Sequence, residues 1–435
     1  MVCIIQGYYQ VTRRKRKYSA IKEAPFKVVV PVFCMFYFFA LPGWNLVSHY
    51  VTAHPFNAGF VLFLPRNYIE IAIITLFIIS QASFKFNARA TIISLSALIW
   101  FLFILLKAVT APIVGHGAYQ VISLAQSIGV VAVGLIVSQF PLNTRKKVLA
   151  SFLLGTAIVL AVSYYELFSG NIYFGGRLTY SSEQNPAGLA LFIALSILTC
   201  LYLASLSSRK WFFVFPLSFF LVSLLLTQGR NSIIALVISW VVVIGVKKFM
   251  VQRLKLLSTI RLSTARSVAK SIAAVLFVVV AVIYLSDKID LERMTRRIIL
   301  LFSGNADEMT AGRMEIWSNY LRQIESSSIG TLFWGHGPGM SYYEAMSTHN
   351  TYLHVLFEHG IIGLMVLVLL VLSIFYVYRR AVTRSELYAK SLVLFGILIM
   401  FGNDFVYSNL WLVLALAMIM QGAAYSSMQR SDATK

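Results

Sequence analysis

The sequence predicts an all-α, polytopic membrane protein of about 12 transmembrane helices with one large helical loop on the outer side. Composition is the first reason: 59% of the 435 residues are hydrophobic and 12% are charged, against about 25% charged in soluble domains. Mean hydropathy is +0.78. The second reason is pattern: the apolar residues run continuously over about 20 positions at a time, as a spanning helix needs, and not in the short alternating segments of a barrel. The third is the sidedness of charge, described below.

The apolar runs lie near 28–46, 66–83, 91–107, 118–138, 147–168, 186–206, 211–228, 232–247, 267–285, 351–378, 387–403 and 408–426. This divides the chain into a basic cytoplasmic tail (1–27), transmembrane helices 1–9 (28–285), an outer loop (286–350), transmembrane helices 10–12 (351–426) and a short cytoplasmic tail (427–435). Arg13, Arg14, Lys15, Arg16 and Lys17 precede the first run, and no clear small-residue cleavage site follows it, so no cleavable signal peptide is expected. With the N-terminus inside, most of the 37 Lys and Arg fall on the inner side. Of the 16 acidic residues only Glu23, Glu386 and Asp432 lie clearly there. This positive-inside asymmetry orients the chain with both ends in the cytoplasm. It also accounts for the net charge of +21 through topology and anionic lipid, which argues against nucleic acid as a partner. Cys3, Cys34 and Cys200 give neither a disulfide framework nor a metal-binding spacing.

Two connections are long. Segment 248–266, with Arg253, Lys255, Arg261 and Arg266 behind Lys247 and Lys248, is basic and amphipathic and is expected on the inner leaflet as a topology anchor. Segment 286–350 is the outer loop. Within it Ile316, Trp317, Tyr320, Leu321 and Ile324 recur at helical spacing, which predicts an amphipathic helix capped by Thr310. The stretch Trp334-Gly335-His336-Gly337-Pro338-Gly339 reads as a turn.

All seven histidines fall on the outer side. His349, His354 and His359 recur every five residues, so on a helix they step about 140° around the axis and cannot share a face. His354 and Glu358 can, but two ligands do not make a metal site. No nucleophile elbow and no P-loop are present. What remains is a set of outer arginines with a histidine. Arg177 lies before the sixth run and Arg230 lies in the turn Leu226-Thr227-Gln228-Gly229-Arg230-Asn231. Arg313 lies in the loop, after Arg293, Arg296 and Arg297. Arginine forks match phosphate oxygens, although an arginine at a span end also serves as a headgroup contact. Histidine accepts a hydroxyl proton near neutral pH. His54, His116 and His336 read as hydrogen-bonded interfacial residues. Trp317, Tyr320, Trp334, Tyr342 and Tyr343 suit either sugar stacking or an interfacial aromatic belt.

The segment from Gly312 to Gly363 resembles the bacterial O-antigen ligase and polymerase superfamily. The resemblance rests on Gly312-Arg313-x-x-Ile316-Trp317, on Gly335-His336-Gly337-Pro338-Gly339, and on His349-Asn350 followed by Gly360-x-x-Gly363. Gln184-Asn185-Pro186 after Arg177 is similar to a family element with its Asn-Pro order reversed. Thr227 to Asn231 resembles a Thr-x-Ser-Arg-Gly turn, with Gly229 and Asn231 as departures.

The resemblance implies a GT-C-like fold in the bacterial inner membrane with a periplasmic active site in the 286–350 loop. It implies transfer of a glycan from a polyprenyl pyrophosphate to a hydroxyl, without cofactor or metal. His349 would be catalytic. Arg230, Arg313 and Arg177 would bind the donor pyrophosphate, with Asn350, Gly360, Gly363 and Trp317 in support. The acceptor would be another lipid-linked repeat unit in a polymerase of O-antigen or exopolysaccharide, or lipid A–core in a ligase. The Gly-Arg and Gly-His-Gly elements look more like the polymerase branch. Membrane lipid and a chain-length regulator or flippase are the further partners expected. A lipid-linked glycan transporter is the reading from another class. Its expected mid-span charges are nearly absent, with Glu166 and Asp404 near span ends.

Overall fold

The computed structural model describes residues 29–43, 88–110, 129–169, 177–179, 186–254, 313–338, 340, 348–378, 384–402 and 409–421. All regular structure among them is helical. The helices are α1 Val29–Ala40, α3 Gly129–Ser138, α2 Ala88–Thr110, α4 Leu142–Phe168, α5 Pro186–Leu206, α6 Val214–Thr227, α7 Arg230–Leu254, α8 Arg313–Glu325, α9 Ile329–Trp334, α10 Thr351–Tyr378, α11 Arg384–Ile399 and α12 Asn409–Gln421. A 3₁₀ turn, Lys210–Phe213, leads into α6. Among the described residues four segments are long and apolar enough to cross a membrane: Leu142–Phe168, Pro186–Leu206, Lys210–Thr227 and Thr351–Ile374. The runs expected near 66–83 and 267–285 lie outside the described residues, as do Arg293, Arg296, Arg297, Thr310, His54, His116, Tyr342 and Tyr343.

Helix α5 is the most enclosed of these spans, apolar on every side, and it packs on α4 and α6. Hydroxyls stitch these neighbours together: Ser196 Oγ donates to Thr156 Oγ1 at 3.0 Å, and Tyr164 Oη lies 3.0 Å from Ser223 Oγ. Such bonds suit spans in lipid, where a polar group finds no water. Helix α11 packs on α7 and α12, and α10 packs on α2. The outward faces keep large apolar side chains exposed, Leu102 on α2, Val241 on α7 and Leu369 on α10 among them, as expected where lipid is the solvent.

Arg145, 2% exposed, turns inward from the first turns of α4. It donates through Nη1 to Ile419 O at 2.7 Å and through Nε to Phe140 O at 3.1 Å, and Tyr202 Oη donates to Met420 O at 3.0 Å. The bonds to Ile419 O and Met420 O satisfy carbonyls that the end of α12 leaves open.

The structure moves two expected boundaries. Helix α7 begins at Arg230 and continues through Lys247, Lys248 and Arg253 to Leu254. The start of the 248–266 segment is therefore a continuation of a span, since no glycine or proline stops the helix after Val246. Residues 255–266 lie outside the described residues. Helix α10 is broken at Gly360, where φ is 66° and ψ is −169°. An unbroken helix would pair the carbonyls of Phe357 and Glu358 with amides four residues on. Here His336 N donates to Phe357 O at 3.0 Å and Gly337 N to Glu358 O at 2.9 Å.

Candidate functional site

The expected amphipathic helix is α8. Its Tyr320 buries against Leu353 and Phe357 of α10, with Ile316, Trp317 and Ile324 packed around them. Tyr320 meets the Phe357 ring edge-on at 4.8 Å. Leu321, counted in the same periodic set, is instead 47% exposed, because it lies about 100° from Tyr320 on the helix surface. This packing fixes Arg313 and Trp317 over the end of the bundle that carries the start of α7 and the end of α11. Arg313 Nη1 donates to Gly402 O at 2.7 Å, and Asn231 Nδ2 donates to the same oxygen at 2.7 Å. Trp317 Nε1 donates to Thr348 O at 2.8 Å, so the tryptophan holds the chain one residue before His349.

His349 is half-buried and left-handed, with φ 50°. A non-glycine residue in that region stores strain and is found where a structure over-determines its geometry. Here Thr348 and Asn350 determine it. Thr348 Oγ1 donates to Asn350 O at 3.0 Å, and Asn350 Oδ1 accepts from Tyr352 N at 3.0 Å and Leu353 N at 3.1 Å. Asn350 thus caps α10, and Thr351 N donates to Met400 O at 2.9 Å, two residues before Gly402. A pocket of about 320 Å³ opens here, lined by Asn231, Arg313, Trp317, Leu398, Phe401 and Gly402 among others. Arg230 adjoins it through Asn231.

Arg177 reaches the turn from the other side. Its Nε donates to Thr227 O at 3.2 Å and its Nη2 to Gln228 O at 3.4 Å, while Leu178 N donates to Leu226 O at 3.0 Å. These bonds occupy the last carbonyls of α6 and hold the turn that presents Arg230. Gln228 in that turn is left-handed (φ 52°) and 4% exposed. Both polar atoms of its amide lack a hydrogen-bond partner among the described residues. The sequence flagged the arginine and missed this glutamine; the only trace of it there is a polar residue directly before Gly229.

Gly335 and Gly360 meet where α9 ends against the break in α10. A Cβ on Gly335 would lie 2.4 Å from Glu358 O, and one on Gly360 would lie 2.3 Å from Phe333 O. A Cβ on Gly363 would lie 3.2 Å from Phe103 Cε1 of α2, so both glycines of the Gly360-x-x-Gly363 element sit at close approaches. Lys107, fully buried at the end of α2, donates from Nζ to Trp334 O and lies 5.0 Å from the centre of the Trp334 ring.

His354 and His359 lie on α10, whereas His349 precedes it. His354 Nε2 lies 3.1 Å from Glu358 Oε2. His359 packs edge-on against Trp100 and Phe103. His336 lies 3.0 Å from Ser327 Oγ and stacks on Phe357. Among the described residues no group of three or more His, Cys, Asp or Glu is placed to hold a metal ion.

Residues 213–368 match the family model described as O-Antigen ligase. The matched segment carries Arg230, Arg313, Trp317, His349, Asn350, Gly360 and Gly363, and leaves out Arg177. It supports the O-antigen ligase-like superfamily, and together with the apolar helices it supports a multi-pass membrane protein. No curated protein matches the chain.

Proposed function

We propose that the chain transfers a glycan from a polyprenyl-pyrophosphate donor to an acceptor hydroxyl at the periplasmic face of the bacterial inner membrane, on a GT-C-like scaffold. The observation that carries this reading is the convergence of Arg313, Asn231 and the His349 loop around the Gly402 turn, at one end of otherwise apolar helices. The acceptor oxygen attacks the sugar carbon bonded to the pyrophosphate. That carbon–oxygen bond breaks, the pyrophosphate leaves on its lipid, and the hydroxyl proton passes to the His349 imidazole. Arg230 and Arg313 offset the charge that gathers on the leaving oxygens. Arg177 contributes by holding the turn that aims Arg230, and it adds its own positive charge there. The leaving group is good enough that no further energy source enters.

Polymerisation of repeat units is the form we favour, on the Gly312-Arg313 and Gly335-His336-Gly337 elements. Ligation to lipid A–core is the second form, favoured by the description of the matching family model. Lipopolysaccharide gels of a deletion strain, complemented with the wild-type gene or with His349→Ala, test both. A core bearing one repeat unit means polymerase. Bare core with lipid-linked polymer accumulating means ligase. Normal lipopolysaccharide together with normal secreted polysaccharide overturns the glycan-transfer reading. His349→Ala is expected to fail to complement while retaining donor, with a loss of about 10²-fold or more in transfer.

A further inference from the structure

A second cavity lies at the end of the bundle away from the Gly402 turn and takes no part in the site above. It is a groove of about 770 Å³ between α4, α5 and α6, walled by Leu153, Leu154, Phe212, Phe215 and Phe219 among others, with Lys146 and Lys147 at its edge. Along α6, Phe215 is about 18 Å from Thr227 at 1.5 Å per residue, so the groove faces the leaflet opposite the Arg230 turn. The run Arg145-Lys146-Lys147 divides in two. Arg145 is spent on the carbonyls of Phe140 and α12, whereas neither lysine has an acidic partner among the described residues and the first turn of α4 contains no acid. Trp211, stacked on Phe212 at 3.8 Å and half exposed, has the form of an interfacial aromatic at the same level.

We propose that this groove is a binding site for an anionic phospholipid. Two unpaired ammonium groups face an acidic headgroup, and the phenylalanine-rich wall takes an acyl chain. The volume is of the size that encloses a small amphiphile. Orientation of lysines for topology alone would not require an apolar cavity of that size beside them. The proposal stands whether or not the chain transfers glycan.

The purified full-length chain, titrated in detergent with phosphatidylglycerol or phosphatidylcholine, tests it by native mass spectrometry. The wild type should retain phosphatidylglycerol about tenfold more strongly than phosphatidylcholine. The double variant Lys146→Ala, Lys147→Ala should lose that preference at an unchanged melting temperature. Phe215→Ala, at a position 65% exposed and so tolerant of truncation, should weaken retention of both lipids. Equal retention of the two lipids by the wild type overturns the proposal. So does a preference that survives loss of both lysines, or retention indifferent to Phe215.

Discussion

Arg313 and Asn231 donate to one oxygen, the carbonyl of Gly402, each at 2.7 Å. One comes from the helix of the outer loop and the other from the first turn of a span. A main-chain carbonyl has two lone pairs, so the pair saturates it and ties three separate parts of the chain to one point. A guanidinium carries five N–H donors in a fixed fork, so it can serve more than one acceptor at a time.

Replacing Arg313 by Lys keeps the charge and loses the fork. A lysine can still reach one acceptor, but it cannot hold Gly402 O and a phosphate oxygen in the same plane. Transfer should fall by about 10- to 100-fold, the worth of one charge-assisted hydrogen bond. Asn231→Ala should lower it less. Steady-state transfer with lipid-linked donor measures both; full activity in Arg313→Lys removes Arg313 from the site.

The proposed reaction puts the offsetting charge on arginines and draws on no divalent cation. Transfer by the purified protein should persist in excess EDTA. An activity that disappears with EDTA and returns with magnesium would place a metal on the pyrophosphate and reduce the arginines to support.

Alanine at Gly335 or Gly360 should unfold the junction between α9 and α10. The added Cβ meets main-chain atoms at 2.4 Å and 2.3 Å, and at both positions it also meets the cost of a positive φ, 82° at Gly335 and 66° at Gly360. Each variant should lose about 2 kcal/mol or more, seen as a lower melting temperature in detergent. The double variant should lose less than the sum, because both substitutions break the same crossing.

Gln228→Leu should leave stability unchanged or raise it by about 1 kcal/mol. Removing an amide that has no partner among the described residues forfeits no hydrogen bond there, and leucine has nearly the same volume. A drop of more than about 1 kcal/mol would show that the amide is in fact bonded. If stability rises while transfer falls, Gln228 is kept for the reaction at the expense of the fold.

The spans were legible because each is a long apolar run, and α8 was legible because its buried residues repeat with helical period. The arginines and His349 stood out as polar residues at the outer ends of apolar segments. What stayed hidden depends on contacts distant in sequence. Lys107 reads as one more cation at a span end, and nothing local announces that it reaches Trp334, 227 positions away. Arg177 reads as a phosphate ligand equal to Arg230, yet part of its guanidinium is occupied by the carbonyls of Thr227 and Gln228. Gly360 reads as a packing glycine inside a continuous apolar segment. Hydropathy has no term for backbone direction, so the break there is invisible until Gly335 is placed against it.

The break at Gly360 also decides how this protein can be taken apart and recombined. Leu353 and Phe357 pack against α8, and the carbonyls of Phe357 and Glu358 accept from the Trp334–Gly337 turn, although these residues are continuous in sequence with the span that follows. A chimera that grafts the outer loop of a relative by cutting at Thr351 would separate Tyr320 from Phe357 and leave two main-chain carbonyls without donors. One cut after Gly360 would carry the whole unit. The natural module of exchange is therefore a loop together with the first turns of the next helix, through Gly360.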